Sequence, residues 1–272
     1  MGARYGKGFA VRVATALVLL PLWLLAVLVP PARPVLVGLV AIFVGVGISE
    51  YYAMAKTART SRVAGVLIGA AIVAVAGFGT FEQAVFAMTG ALLVLAVMHL
   101  FHARGSIAEL AASLFGVFYV GWLGAYVVFV HALESGPGMV LMLIVAVALT
   151  DVGAYFAGKQ LGRHKMAPVV SPNKTWEGAF GGLLLATAGV WTLGEINVAL
   201  GIDLPAWPAV RLVLIGALLS AVSQLGDLMK SAIKRDAGVK DSGTILPGHG
   251  GMLDRCDGFL FAAPVLYYIA VL

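Results

Sequence analysis

Long apolar runs separated by short polar breaks set the pattern of this chain. A bilayer core about 30 Å thick is crossed by a helix of roughly 20 apolar residues. Runs of that length recur at approximately 9–29, 34–54, 62–79, 83–101, 107–132, 138–157, 177–199, 208–229 and 252–272. The pattern predicts an all-α polytopic membrane protein with about nine transmembrane helices. Pro30, Pro31 and Pro34 mark the first connection and Gly136-Pro137-Gly138 the fifth. The run 107–132 is long enough for a tilted helix or one kinked at Gly121 or Gly124. Two connections, 158–176 and 230–251, are long and polar, and nine spans put both on one side. Arg4 and Lys7 imitate the start of a signal peptide, but the run that follows is long and lacks a small-residue cleavage site, so it reads as a mature span. With no internal repeat and no separable soluble domain, 1–272 reads as one membrane domain. Its N-terminal helices occupy about 1–136, and 137–272 holds the helices and loops with the chemistry.

Composition agrees: 61% of the residues are hydrophobic and 11% charged, against about 25% charged in soluble domains. The single cysteine, Cys256, excludes an intrachain disulfide. The net charge of +5 matters mainly through its placement. With the N-terminus cytoplasmic, the inner segments hold Arg4, Lys7, Lys56, Arg59, Arg62, Arg104, Lys159, Arg163, Lys165, Lys174, Lys230, Lys234, Arg235 and Lys240. The outer segments hold only Arg33 and Arg211, while Arg12 and Arg255 sit just inside inward-facing span ends. This bias predicts an N-terminus inside, a C-terminus outside and an active site on the cytoplasmic face. Basic residues confined to short loops argue against nucleic-acid binding, and so compact a chain suits a bacterial inner membrane.

Chemistry concentrates in 231–257, where acids, bases and glycines crowd between two apolar runs. Ionisable groups at membrane depth are costly and usually functional. Asp254 and Asp257 share a helix face at i, i+3, and two carboxylates so close call for a cation. Hard oxygen ligands of this kind suit Mg²⁺. They also read as acids welcomed by the first turns of a helix. Asp227 reads either as a ligand or as the i+3 partner of Lys230, and Asp151 either as a functional intramembrane acid or as an interhelical hydrogen-bonding group. Glu50 and Glu109 read as headgroup-level pairs, Glu195 and Asp203 as solvated, and His99, His102 and His131 as interfacial. In Ser171-Pro-Asn-Lys-Thr-Trp-Glu-Gly178, Asn173, Lys174 and Thr175 gather donors near a helix start, where phosphate binds well. The same segment also reads as an ordinary helix start with Trp176 as interfacial anchor.

The segment from Ser231 resembles the signature of the phosphatidate cytidylyltransferases, the CDP-diacylglycerol synthases. The matching residues are Ser231, Ile233, Lys234-Arg235, Lys240-Asp241, Gly243, Leu246-Pro247, His249-Gly250-Gly251, Met252, Asp254-Arg255 and Asp257. Cys256 stands where an aliphatic, Phe or Thr is usual, and Asn173 where Lys is frequent. The likeness continues through Asp151-Val-Gly-Ala-Tyr155, the 171–178 segment and Gln224-Leu-Gly-Asp227. It implies transfer of a cytidylyl group from CTP to phosphatidate, yielding CDP-diacylglycerol and pyrophosphate. It further implies Mg²⁺, with or without a second cation, and a homodimer among membrane lipids. By position, Asp227, Asp254 and Asp257 match the metal-binding acids. Lys234, Arg235, Lys240 and His249 match phosphate-handling positions, with Asp254 shared between metal and catalysis. Asn173, Lys174, Thr175, Ser231, Asp241, Gly250, Gly251 and Arg255 are the expected substrate contacts. Two rival readings are another CTP-dependent lipid or polyprenol enzyme and an ion-coupled transporter. Transporter sites usually lie at the midplane, whereas these acids gather at one end of their spans.

Overall fold

The structure, a computed structural model, describes residues 21–29, 33–101, 106–243, 245 and 250–272. Among the described residues there are nine helices. They are α1 (21–28), α2 (Arg33–Met54), α3 (Arg59–Phe78), α4 (Phe81–Leu100), α5 (Ile107–His131), α6 (Gly136–Leu161), α7 (Trp176–Ile196), α8 (Ala209–Asp236) and α9 (Leu253–Val271). Seven of these, α2 to α8, are long and apolar enough to cross a membrane. The 19 residues of α9 begin with the charges Asp254, Arg255 and Asp257 before turning apolar. The chain is an all-α polytopic membrane protein, as its periodicity predicts.

Local chemistry sets the helix ends. Thr80 and Gln83 form a reciprocal capping box on α4, with Gln83 N donating to Thr80 Oγ1 at 3.2 Å and Thr80 N to Gln83 Oε1 at 3.0 Å. Ser106 Oγ caps α5 by accepting from Glu109 N at 3.2 Å. Midway along α5, Val117–Trp122 winds as a π-helix, which is where Gly121 lies and what a kink expected there becomes.

The two long connections are shorter than the sequence pattern indicates. Helix α8 continues seven residues past the expected end at 229, through Lys234 and Arg235 in its last turn. Lys and Arg are good helix formers and complement the negative end of the helix dipole. Nothing in Ser231–Asp236 breaks the helix, and it stops before Gly238, which takes a left-handed φ of 72°. In the other connection α6 runs on to Leu161, and the remainder folds into a hairpin. Strand β1 (Lys165–Ala167) pairs antiparallel with β2 (Ser171–Thr175), Lys165 opposite Thr175 and Ala167 opposite Ser171. This is the sole sheet among the described residues.

The chain divides into two compact units. The first comprises residues up to Val128 together with Ala237–Arg255. Its core includes Leu36, Ile48, Tyr52, Ile72 and Tyr119. The Tyr52 hydroxyl donates to Ser113 O at 2.5 Å, so the buried phenol is satisfied. The second unit comprises Phe129–Asp236 and Cys256–Leu272. There α7 packs on both α6 and α8. The contact of α6 with α7 is close because glycines line it. A Cβ on Gly153 would lie 2.5 Å from Gly181 O, and one on Gly182 would lie 2.6 Å from Thr150 O. Without a hydrophobic force between helices in lipid, such backbone proximity is a main source of attraction.

Replacing Gly182 with Val forces a branched side chain against the α6 backbone. The expected cost is about 1–3 kcal/mol, typical of overpacking. It should appear as a lower melting midpoint of the purified protein in detergent than for Ala at the exposed Leu184.

Candidate active site

Within the second unit, α8 presents Asp227 and Lys230 one turn apart, so both fall on one helix face. Lys230 is only 7% exposed. Its ammonium lies 2.9 Å from Asp227 Oδ1 and 2.6 Å from Asp257 Oδ2. Lys174, from β2, approaches the other oxygen of Asp227 at 2.6 Å and donates to Gln224 O at 3.4 Å. The groups follow in the order Lys174, Asp227, Lys230, Asp257, with two positive and two negative charges alternating. A buried charge is tolerated when it is paired and hydrogen-bonded, and here each faces its opposite.

Backbone proximity sets this arrangement. A Cβ on Gly226 would collide with Asp257 O and sit 3.1 Å from its carbonyl carbon. The glycine therefore lets α8 and α9 meet backbone to backbone, one turn before Lys230. At Gly258 a Cβ would lie 3.0 Å from Val147 Cγ1, so α9 also packs closely on a side chain of α6.

The hairpin brings Lys174 into position. Thr175 Oγ1 caps α7 by accepting from Gly178 N at 3.2 Å. Glu177 accepts from Arg163 N at 3.1 Å and meets His164 Nδ1 at 2.5 Å, closing the hairpin's base. Arg235 Nε donates to Val170 O at 3.3 Å, tying the end of α8 to the hairpin turn. Asn173 and Arg235 are exposed, Lys234 half-buried and Ser231 buried.

In the first unit, the segment before α9 and the first turn of α9 carry the remaining expected residues. Lys240, Asp241 and Arg255 are exposed. Asp254 Oδ2 accepts from Ser242 N at 3.0 Å and Gly251 N at 3.3 Å, and lies 2.9 Å from Ser242 Oγ. Gly250 takes a φ of 82°, in the region that favours glycine. His249 lies outside the described residues, as do Leu246, Pro247 and Gly248.

The structure thus draws Lys174, Asp227 and Asp257 together and sets Asp254 against Ser242 and Gly251. Among the described residues, no three acidic, histidine or cysteine side chains gather as a metal cage. Of the acids expected to bind metal, Asp227 and Asp257 form a carboxylate pair bridged by an ammonium within the second unit, and Asp254 belongs to the first. The donor chemistry of that pair suits a hard divalent cation, which commonly takes one or two carboxylates and completes its shell elsewhere. Lys230 occupies the place of a cation between them.

Two residues carry more than their sequence reading assigned. Lys230, taken as a partner of Asp227 alone, bridges to Asp257 as well. Glu50, read as a headgroup-level residue, is 5% exposed and accepts from Met252 N at 3.0 Å and Leu253 N at 2.9 Å. The available signal in both cases was an ionisable side chain inside an apolar helix. Glu109 likewise turns inward, accepting from Ala58 N at 2.9 Å. Asp151, expected between helices, is exposed, and His131, expected at the interface, is buried.

Comparison with known proteins identifies the family. Residues 10–272 match the cytidylyltransferase family. A phosphatidate cytidylyltransferase of Synechocystis sp. is 35% identical over 272 aligned residues, spanning 86% of this chain and 87% of that protein. One from Bacillus subtilis is 40% identical over 197 residues, 72% of this chain and 70% of the relative. One from Brucella suis is 45% identical over 153 residues, 56% and 54% respectively. Matched across nearly its whole length, signature segment included, this chain belongs to the cytidylyltransferase family.

Proposed function

We propose that this protein is a phosphatidate cytidylyltransferase, joining CTP and phosphatidate into CDP-diacylglycerol with release of pyrophosphate. The observation that carries the reading is the alternating series Lys174, Asp227, Lys230, Asp257 in a chain of this family. A phosphate oxygen of phosphatidate attacks the α-phosphorus of CTP. The bond from that phosphorus to the oxygen bridging to the β-phosphate breaks, and pyrophosphate leaves with the electron pair. The attacking phosphate is already anionic, so no strong general base is needed. Positioning and charge stabilisation supply the catalysis.

Asp227 and Asp257 are the proposed Mg²⁺ ligands, with Asp254 as a further acid at the start of α9. A bound Mg²⁺ supplies charge neutralisation for the phosphates of both substrates. Lys230 keeps the two carboxylates fixed and neutralised, and Lys174 orients Asp227 from the hairpin. Lys234, Arg235, Lys240 and His249 are assigned to the phosphate charge that develops on the leaving group. Asn173, Thr175, Ser231, Asp241, Gly250, Gly251 and Arg255 are assigned to the surrounding substrate contacts. The distribution of Lys and Arg supports a cytoplasmic N-terminus, an external C-terminus and reaction at the cytoplasmic face of a bacterial inner membrane. A homodimer and a second cation belong to the same reading.

Pyrophosphate release by the detergent-purified protein should require CTP, phosphatidate and Mg²⁺ together, and EDTA should stop it. Release without CDP-diacylglycerol as the lipid product would redirect the assignment to another acceptor. Asp257→Asn and Asp227→Asn should each lower turnover by roughly 100-fold or more while the protein still inserts. Near-normal rates in both would remove the metal assignment. Lys230→Met leaves two carboxylates facing each other and should destabilise the fold by about 3–5 kcal/mol, measured by thermal unfolding.

A further inference from the structure

A second polar cluster lies within the first unit, built around a residue some two hundred positions upstream of the signature. Glu50 sits in the last turns of α2, an otherwise apolar helix, and its carboxylate is buried. It accepts from Met252 N at 3.0 Å through Oε1 and from Leu253 N at 2.9 Å through Oε2. These amides lie at the start of α9, where backbone donors have no helical partner and the dipole favours an anion. Helix α9 therefore receives its N-terminal acceptor from α2, where most helices use a residue beside the cap.

The same carboxylate reaches Asp254 through one hydroxyl. Ser242 Oγ lies 3.1 Å from Glu50 Oε2 and 2.9 Å from Asp254 Oδ2. A serine hydroxyl has one proton, so it donates to one carboxylate at a time, and its position is set by both. Two glycines of the signature also face Glu50. A Cβ on Gly243 would lie 2.7 Å from the Glu50 carboxyl carbon, and one on Gly251 would lie 2.7 Å from Glu50 Oε2. In this packing their missing side chains make room for the glutamate.

We infer that Glu50 is a positioning residue for cytidylyl transfer, holding Ser242 and the residues Gly251 to Leu253 so that Asp254 is presented in its working orientation. The inference rests on the function proposed above. Glu50 touches neither substrate nor reacting atoms; it acts through Ser242 and the first amides of α9. Displacing a reacting constellation by about 1 Å costs on the order of 100-fold in rate.

The test compares wild type, Glu50→Gln, Ser242→Ala and the double variant as purified proteins. Glutamine keeps the shape but leaves one oxygen to serve three donors. Turnover of Glu50→Gln should fall by roughly 10- to 100-fold, with the KM for CTP nearly unchanged and a melting midpoint close to wild type. The double variant should be no slower than the slower single variant, because both act along one path. Hydrogen exchange should quicken at the amides of Ser242 and 251–254. Wild-type turnover per folded molecule in Glu50→Gln would overturn the inference, and so would additive losses or unchanged exchange. Should the wild-type protein make no CDP-diacylglycerol, the proposed function fails separately. The exchange measurement then still decides whether Glu50 holds this segment.

Discussion

Lys230 is buried with its ammonium between the carboxylates of Asp227 and Asp257, and the desolvation cost of that arrangement accounts for much of the packing around it. Removing such charges from water costs several kcal/mol per ion unless the geometry repays it. Repayment here needs two carboxylates within hydrogen-bonding reach of one nitrogen. That in turn needs the α8 and α9 backbones close together, which Gly226 permits. Lys174 then completes the balance from the hairpin, and the hairpin is held by Glu177 and Arg235. A polar constellation is thereby fixed at the end of helices that are otherwise apolar.

The glycines of this chain serve three different purposes. Gly153 and Gly182 let α6 and α7 approach where lipid offers no hydrophobic drive for association. Gly226, Gly243 and Gly251 clear space for functional groups: the backbone of Asp257 in the first case and the carboxylate of Glu50 in the others. Gly250 is a third kind, needed for its left-handed backbone just before α9. Composition alone treats all of them as small residues in a membrane protein. Only their neighbours tell them apart.

Charge placement follows the same logic in both units. In each, a carboxylate meets at least one donor from a different helix or strand, Glu50 the start of α9 and Asp227 Lys174 of the hairpin, with Lys230 added from its own helix. Acids held by several donors in this way keep one orientation. Lys240 and Arg235 are exposed, Arg235 while tied to the hairpin through Val170 O, in contrast to the buried Lys230.

The helical spans were legible in the sequence because lipid demands long apolar runs with every backbone group satisfied inside the helix. From Arg33 onward the expected spans lie close to the observed helices. The reaction class was legible too, since Lys234-Arg235, Lys240-Asp241, His249-Gly250-Gly251 and Asp254 to Asp257 stand at fixed local spacing. The helical run to Asp236 and the hairpin were missed because charged residues were read as loop. Local helix propensity and strand pairing outweighed that polarity. The pairing of Lys230 with Asp257, and of Glu50 with residues 203 positions later, was decided by tertiary structure. No local periodicity encodes such contacts: a buried charge selects its partner by where the helices bring their backbones together, and that is a property of the whole packed chain.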